Sequence, residues 1–440
     1  MIIAYSLYNL FLAVFSKKVF DSWFNPVSLY VIVWEIAMGI HQSGLIVFYP
    51  LSWYTWFIIF LMQSLFACSC FLGSRMGVVI EKRSIKPRPS INEKKLKDQI
   101  IKYIIITTVF SSISIISQLI GTIARYGTNL LDNVTNVYAA RVYNQDTIES
   151  IPYVGAFIYI ALPLVGIYIK KYGFNLLTLP AIALVFLNSL TSGGRAGIVF
   201  SMVLMASAYL VTDSKRKVGK KVVKNRRLLI SLGVLILLTM VITISIKRNA
   251  GQSLIYANES FYSLFGQNLL LYKTFSYIAG PIGVLNEYLK ESELHFGQNT
   301  LLTVYNFLYR IGVLDQRIEQ YQEWFYTPLG CNVGTWIREL IEDFTVFGAI
   351  VCVPLFGYCT TRTYMYSRNH NSVSAIVLWS ILSLVLLLSF FDWRLRSSNI
   401  WISLLFGYIF SRQIDIQSRK NAIVEITDEQ EVNNGRCSCA

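Results

Sequence analysis

Four charged residues lie together at the start of one predicted helix: Arg338, Glu339, Glu342 and Asp343. Side chains four residues apart share a helix face, so Arg338 can pair with Glu342, while Glu339 and Asp343 share the neighbouring face. A carboxylate near arginines can act as a general base or hold the arginines in place. Alternatively, Thr335 caps the helix and the acids complement its dipole, which accounts less well for Asp343.

A second candidate site is the turn 191–197, Thr-Ser-Gly-Gly-Arg-Ala-Gly, which presents Arg195. Its glycines let the backbone turn tightly and direct N–H groups toward an anion. We expect Arg195 at the mouth of a helix bundle, where a charged side chain is costly and usually functional, unless it only snorkels to the interface. Lys247 and Arg248 directly follow the predicted span 228–246, and they either bind substrate or anchor that span.

A third charged group is the turn 392–396, Asp-Trp-Arg-Leu-Arg, in which Arg394 either lines the same mouth or helps to close the turn. His295, in a long loop, is a candidate base, although a single loop histidine is more often solvated. We find no nucleotide-sugar motif and no cluster with metal-ligand spacing, so the sequence predicts neither a metal nor a cofactor.

Membrane helices must position these residues. Hydrophobic residues make up 54% of the 440-residue chain and charged residues 15%, whereas soluble proteins carry about 25% charged residues. This composition excludes a water-exposed globule. Apolar runs near the roughly 20 residues needed to cross a bilayer predict about 11 transmembrane helices, roughly 10 to 12. The predicted fold class is an all-α polytopic integral membrane protein.

The net charge of +14 fits either a nucleic-acid footprint or the positive-inside rule. When the predicted spans alternate, the densest basic loops, 74–100 and 213–227, fall on one side with most of the other basic residues. The charge is therefore a topology signal, and the nucleic-acid interpretation loses its support. The N-terminus is predicted to lie outside and the C-terminus in the cytoplasm. The predicted domains are an N-terminal membrane bundle 1–246, an extracytoplasmic loop 247–337, C-terminal spans 338–411 and a cytoplasmic tail without regular structure 412–440.

The outer loop 247–337 is the longest connection, and long ordered loops are usually functional. Its segments 275–289 and 301–324 have apolar residues at helical spacing and are predicted to form amphipathic helices in the membrane interface, with a break at 280–281, Gly-Pro. They either cover a site or merely pack over the spans. On the predicted outer side Arg outnumbers Lys, which indicates an anionic ligand, because Arg grips phosphate at two points.

With these elements the chain resembles the O-antigen polymerase family (Wzy-type, oligosaccharide repeat unit polymerases). The resemblance rests on the turn 192–195, the basic exit 247–248, a Tyr-x-x-Gly-Pro element that begins at Tyr277, and the return helix 332–350 with Asp-Phe at 343–344 and glycine at 348. The predicted architecture agrees over nearly the whole chain. Thr345 stands where members of the family often have glycine.

The resemblance implies a metal-independent glycosyltransferase of the GT-C membrane type in the bacterial cytoplasmic (inner) membrane. It would polymerise repeat units carried on undecaprenyl diphosphate into O-antigen, capsular polysaccharide or exopolysaccharide at the outer face. The lipid bilayer, a chain-length regulator and a flippase would be its further partners.

The resemblance also implies roles for individual residues. The substrate's diphosphate and sugar would be bound by Arg195, Arg248, Arg338, Tyr277 and Arg394. Arg195 would stabilise charge on the leaving diphosphate, and Asp343 or Glu339 would activate the acceptor hydroxyl or orient an arginine.

Two alternatives remain open. A glycan ligase would act on the same lipid-linked donor with the same arginines. A polysaccharide flippase or secondary transporter would instead show internal repeats and charges deep within several spans. Glu35 is the obvious mid-span charge in this sequence.

Overall fold

The computed structural model describes residues 1–83, 92–142, 151, 153–213, 239, 242–246, 253–291, 293–318 and 323–437, without the side chains of 77–83, 141–142 and 420–437. Arg248 and most of the predicted span 228–246 lie outside the described residues, as do 84–91 of the basic loop 74–100 and 214–227 of the basic loop 213–227.

Helices account for almost all of the regular structure. They are α1 (Ile2–Phe20), α2 (Pro26–Gln42), α3 (Trp53–Arg83), α4 (Glu93–Tyr126), α5 (Val134–Val142), α6 (Ile158–Tyr172), α7 (Leu179–Ser192), α8 (Ala196–Val211), α9 (Glu259–Phe265), α10 (Leu269–Tyr288), α11 (Leu302–Arg310), α12 (Trp336–His370), α13 (Val373–Leu387) and α14 (Ser398–Cys437). A short hairpin pairs β1 (Phe325–Tyr326) antiparallel with β2 (Gly330–Cys331).

Five described helices are long and apolar enough to cross a membrane: Ile2–Phe20, Trp53–Met76, Glu93–Tyr126, Val154–Tyr172 and Trp336–His370. Three shorter apolar helices accompany them: Leu176–Ser192, Ala196–Val211 and Val373–Leu387. Several of these helices leave large apolar side chains exposed, such as Phe347, Val351 and Leu355 along one face of α12. The predicted all-α class is confirmed, and the helices are those of a multi-pass membrane protein.

The chain divides into two compact units, and unit 1 contains Met1–Met76, Leu238–Tyr364 and Leu382–Trp401. In unit 1, α2 packs against both α1 and α10. An aromatic cluster forms part of its core, with ring-centroid distances between 4.5 and 6.0 Å. The cluster consists of Tyr30, Phe66, Trp336, Phe356 and Trp393. It fixes the start of α12 against α2 and α3.

Unit 2 contains Gly77–Leu237, Met365–Ile381 and Ile402–Ala440. Here α6 packs against α4 and α8, and α4 also packs against α7. The helix α14 continues to Cys437, where the sequence predicts a tail without regular structure from 412. Part of this extension is held by Asp415, whose buried carboxylate accepts hydrogen bonds from the backbone N–H groups of Val373 (2.9 Å) and Ser374 (3.1 Å).

The outer-loop predictions are partly wrong in detail. The predicted break at 280–281 does not occur, because α10 continues through Pro281 to Tyr288. Burial of the surrounding residues against neighbouring elements compensates for the backbone hydrogen bond that proline removes. A side chain at Gly283 would place its Cβ 2.9 Å from the Cβ of Thr327, so this glycine lets the hairpin lie directly on α10. The second predicted helix forms as α11, but it ends at Arg310.

Candidate functional site

The first turn of α12 is held by the cap that its sequence predicts. The buried Thr335 hydroxyl accepts a hydrogen bond from the Arg338 backbone N–H at 3.2 Å, which satisfies one of the free N–H groups of a helix start. The Trp336 backbone N–H donates to the Ser389 carbonyl at 3.0 Å. These two hydrogen bonds fix the start of α12 independently of its charged side chains.

Arg338 is almost completely buried, with 1% exposure. Its Nε lies 3.6 Å from Oε2 of Glu342, which confirms the pairing expected from the four-residue spacing. The guanidinium carbon lies 4.7 Å from the ring centroid of Phe325 and 5.4 Å from that of Tyr288, so both aromatic rings form cation–π interactions with Arg338. A Cβ at Gly334 would lie 2.4 Å from the Arg338 Cδ; the absent side chain leaves the space that Arg338 occupies.

Glu342 also holds His295, which lies in the segment between α10 and α11. The Nδ1 of His295 lies 2.8 Å from the Glu342 Oε1, and the His295 backbone N–H donates to the Glu342 carbonyl at 2.7 Å. Since a carboxylate accepts, Nδ1 carries the hydrogen, and Nε2 lies at the other edge of a side chain that is 30% exposed. The exposed Glu293 carboxylate lies 3.9 Å from that nitrogen. The arrangement is a buried acid that orients a partly exposed imidazole.

Asp343 is buried and binds backbone rather than arginine. One carboxylate oxygen accepts hydrogen bonds from the backbone N–H of Asn299 at 2.9 Å and from its side-chain amide at 3.3 Å. The other oxygen accepts from the backbone N–H of Thr300. These bonds fasten the segment before α11 to α12, so Asp343 positions the loop that carries His295.

Glu339 is fully buried on the neighbouring face and contacts the turn 392–396. Its Oε1 accepts a hydrogen bond from the Trp393 backbone N–H at 3.2 Å, and its Oε2 lies 3.5 Å from an Arg396 guanidinium nitrogen. Arg394 in turn forms an ion pair with Asp392. Burial raises the pKa of Asp392, and the guanidinium groups of Arg394 and Arg396 oppose this shift.

The helix α12 is interrupted immediately after these acids. Thr345 has φ 62° and ψ 178°, a conformation that strains any residue except glycine. In an unbroken helix the Glu342 carbonyl would accept a hydrogen bond from the backbone N–H four residues later. Here that carbonyl accepts the hydrogen bond from the backbone N–H of His295. A Cβ at Gly348 would lie 2.1 Å from the Phe344 Cβ, so the bend also requires a glycine there. The apolar part of α12, from 346 to 370, follows the break.

The structure brings most of the sequence-predicted site residues into unit 1: Arg338, Glu339, Asp343 and Arg394 lie within one network of contacts, and the Tyr277 ring lies 6.3 Å from that of Phe391, next to Asp392. Arg195 belongs to unit 2, where it precedes α8. The turn before it packs on α5, since a Cβ at Gly193 (φ 61°) would lie 2.8 Å from the Val134 carbonyl oxygen. Arg248 lies outside the described residues.

Two functional partners come from far along the chain and were not among the predicted site residues. Asn299 fastens the loop and Arg396 faces Glu339, and both are more than forty residues from the acids they contact. The charged turn 392–396 was a signal for Arg396, but no local pattern in the sequence connects Asn299 with Asp343.

Chemically, this region combines one oriented imidazole, several buried acids and several arginines. Such a set can accept a proton, donate it again and stabilise a nearby anion. Within the described ranges, no group of three or more His, Cys, Asp or Glu residues could hold a metal ion. We call Arg338, Glu339, Glu342, Asp343 and His295 the α12 cluster.

No family model, no curated protein and no solved structure matches this chain. The resemblance to the O-antigen polymerases therefore rests on the four sequence elements described for it.

Proposed function

We propose that this chain is a membrane glycosyltransferase that joins lipid-diphosphate-linked oligosaccharide units, and that the α12 cluster is its active site. One observation carries the proposal: the Glu342 carboxylate lies 2.8 Å from Nδ1 of His295, whose side chain is 30% exposed. A buried acid that orients a histidine is an arrangement that general-base catalysis uses.

In the proposed reaction the acceptor is a sugar hydroxyl and the donor is a glycan on a lipid diphosphate. The hydroxyl oxygen attacks the anomeric carbon of the donor, and its proton moves to Nε2 of His295. The bond between the anomeric carbon and the diphosphate oxygen breaks, and the diphosphate leaves with the electron pair. Glu342 stabilises the resulting imidazolium, and Arg338, at 3.6 Å from Glu342, holds that carboxylate in place.

The leaving diphosphate needs positive charge that can reach it. Arg394 and Arg396 are suited to this, because their side chains are 21% and 13% exposed, whereas that of Arg338 is 1% exposed. The roles of Arg195 and Arg248 stay predictions from the sequence resemblance alone. The three hydrogen bonds of Asp343 to the loop favour positioning over base chemistry for this residue.

The reaction class within this proposal is polymerisation of repeat units on undecaprenyl diphosphate, because the sequence elements resemble those of O-antigen polymerases. In this proposal the chain crosses the bacterial inner membrane about 11 times. Its active site lies at the outer face and its C-terminus lies in the cytoplasm. A chain-length regulator and a flippase are the proposed partners.

The test uses the purified protein in liposomes with synthetic undecaprenyl-diphosphate repeat units. The proposal predicts a ladder of polymers, and Arg195→Ala should abolish the long products while membrane insertion is retained. Transfer of finished glycan to a different acceptor without a ladder would indicate a ligase. Movement of lipid-linked units across the bilayer without new glycosidic bonds would indicate a transporter and would overturn the proposal.

One observation favours the transporter alternative. The Glu35 carboxylate, midway along α2, accepts hydrogen bonds from Ser6 at 2.5 Å and Asn9 at 2.6 Å. Ionisable residues within membrane helices often mark transport pathways. A Glu35→Gln variant that loses translocation of lipid-linked units, in a protein that forms no glycosidic bonds, would support transport.

A further inference from the structure

The hairpin of unit 1 has one buried and one exposed face. Phe325 lies on the guanidinium group of Arg338, and Thr327 is fully buried against α10. Trp324 and Tyr326 alternate with them along the chain, and their side chains are 53% and 70% exposed. Alternate residues of a strand point to opposite faces, so the face that covers Arg338 leaves two aromatic rings uncovered on the other side.

The exposed rings of Trp324 and Tyr326 both lie close to the backbone of Gly330. The position of a Cβ on Gly330 would be 3.3 Å from Cε1 of Tyr326 and 3.4 Å from Cε3 of Trp324. Both exposed rings therefore lie next to Gly330. We call Trp324 and Tyr326 with the intervening Gly330 the aromatic platform.

Contacts to other parts of unit 1 hold the platform in place. The Thr327 carbonyl accepts a hydrogen bond from the Tyr49 backbone N–H at 2.9 Å. The Sγ of Cys331 lies 3.4 Å from where a Cβ of Gly280 would be, so the hairpin lies against the α10 backbone. A surface fixed in this way binds a ligand without first having to order itself.

We propose that the aromatic platform binds a sugar ring of the glycan by stacking. A pyranose has an apolar face of C–H groups and a rim of hydroxyl groups, which matches flat aromatic rings that carry an N–H and an O–H at their edges. Phe325, between the two platform residues, contacts Arg338, so the platform is attached directly to the α12 cluster. The inference rests on the proposed function and adds the subsite that holds the acceptor sugar.

A lipid surface is the competing occupant. Trp and Tyr are common at membrane interfaces, and Trp53, at the start of α3, is 76% exposed. The two occupants differ in what they need from the side chain. A bilayer accepts leucine in place of an aromatic ring, since it needs only apolar surface, whereas stacking on a sugar needs the ring itself.

The experiment uses the full chain in lipid nanodiscs. The probe is the soluble repeat-unit oligosaccharide released by mild acid from the host cell's lipid-linked glycan, and its affinity is measured by calorimetry. We expect Trp324→Leu and Tyr326→Leu each to weaken binding by about tenfold or more. Tyr326→Phe should bind within about threefold of the unchanged protein, because the ring remains. Trp53→Leu is the matched control and should leave binding unchanged.

The result that would overturn the platform is an unchanged affinity in both leucine variants, or no binding of the oligosaccharide by the unchanged protein. Failure of the proposed function gives a different pattern. The unchanged protein would then bind the oligosaccharide, and the leucine variants would lose it, while no variant formed glycosidic bonds. If both proposals hold, the leucine variants raise the KM for the acceptor and leave kcat nearly unchanged.

Discussion

Two acidic residues of unit 1 have opposite kinds of partner. Glu342, 4% exposed in α12, lies between Arg338 at 3.6 Å and His295 at 2.8 Å. Glu35, half-buried in α2, is bound by the hydroxyl of Ser6 and the amide of Asn9. Among the described residues, no basic side chain forms an ion pair with Glu35.

The difference shows what each acid is needed for. Neutral donors such as those at Glu35 could be satisfied equally by an uncharged group of the same shape, so this position requires hydrogen-bonding capacity rather than charge. A buried acid beside a guanidinium and an imidazole instead forms a coupled set, in which removal of one member leaves the others uncompensated. We therefore place the chemistry at Glu342 and a packing role at Glu35.

The largest expected effect comes from Arg338→Met, which removes the positive partner of Glu342. The variant should lose about 3–5 kcal/mol of the free energy of unfolding, because an uncompensated buried charge remains. The measurement is a denaturant titration in detergent micelles.

The control for this substitution is the double variant Arg338→Met/Glu342→Gln, which removes both charges and should recover much of the loss. A double variant as unstable as Arg338→Met alone would mean that packing of the long arginine side chain, and not its charge, stabilises α12.

A smaller effect of opposite sign is expected at Thr345. Its φ of 62° and ψ of 178° suit glycine, so Thr345→Gly should raise the free energy of unfolding by about 1–2 kcal/mol through relief of strain. The matched control is Thr345→Ala, which keeps a Cβ and should give little gain. Equal gains in the two variants, measured by the same titration, would show that the exposed threonine side chain and not the backbone is unfavourable.

The smallest effect is expected from Glu35→Gln. An amide can accept from Asn9 and donate to Ser6, so the stability should change by less than about 1 kcal/mol. Glu35→Ala should cost more, because it leaves the Asn9 and Ser6 groups without that partner. If Glu35→Gln were as damaging as Arg338→Met, Glu35 would require its charge and the contrast with Glu342 would fail.

The features that the sequence could predict are local. The spacing of Arg338 and Glu342 and the cap at Thr335 follow from helix geometry, and both are present. The threonine at 345 gives by itself no signal for the break, because threonine rarely adopts a positive φ. Pro281 predicts a break in α10, and this prediction is wrong. Packing against neighbouring elements holds α10 together, and this packing cannot be read from the local sequence.

The residues of the candidate site could be predicted from the sequence only in part. His295 was a candidate base from its residue type alone, but its partner Glu342 lies 47 residues further along the chain, and only the fold brings the two within 2.8 Å. The break at Thr345 contributes to this contact, because the Glu342 carbonyl accepts the backbone N–H of His295. A local signal for the acids and a long-range contact for the base are both needed to define the site.

The catalytic pair of His295 and Glu342 is tested by the rate of glycosidic-bond formation in liposomes for four proteins: the unchanged chain, His295→Gln, Glu342→Gln and the double variant. We predict that each single variant lowers kcat about 10²–10⁴-fold, and that the double variant is no slower than the slower single one, because two residues that act as a unit are not additive. Full activity in His295→Gln, or losses that multiply in the double variant, would contradict the assignment of His295 and Glu342 as one catalytic pair.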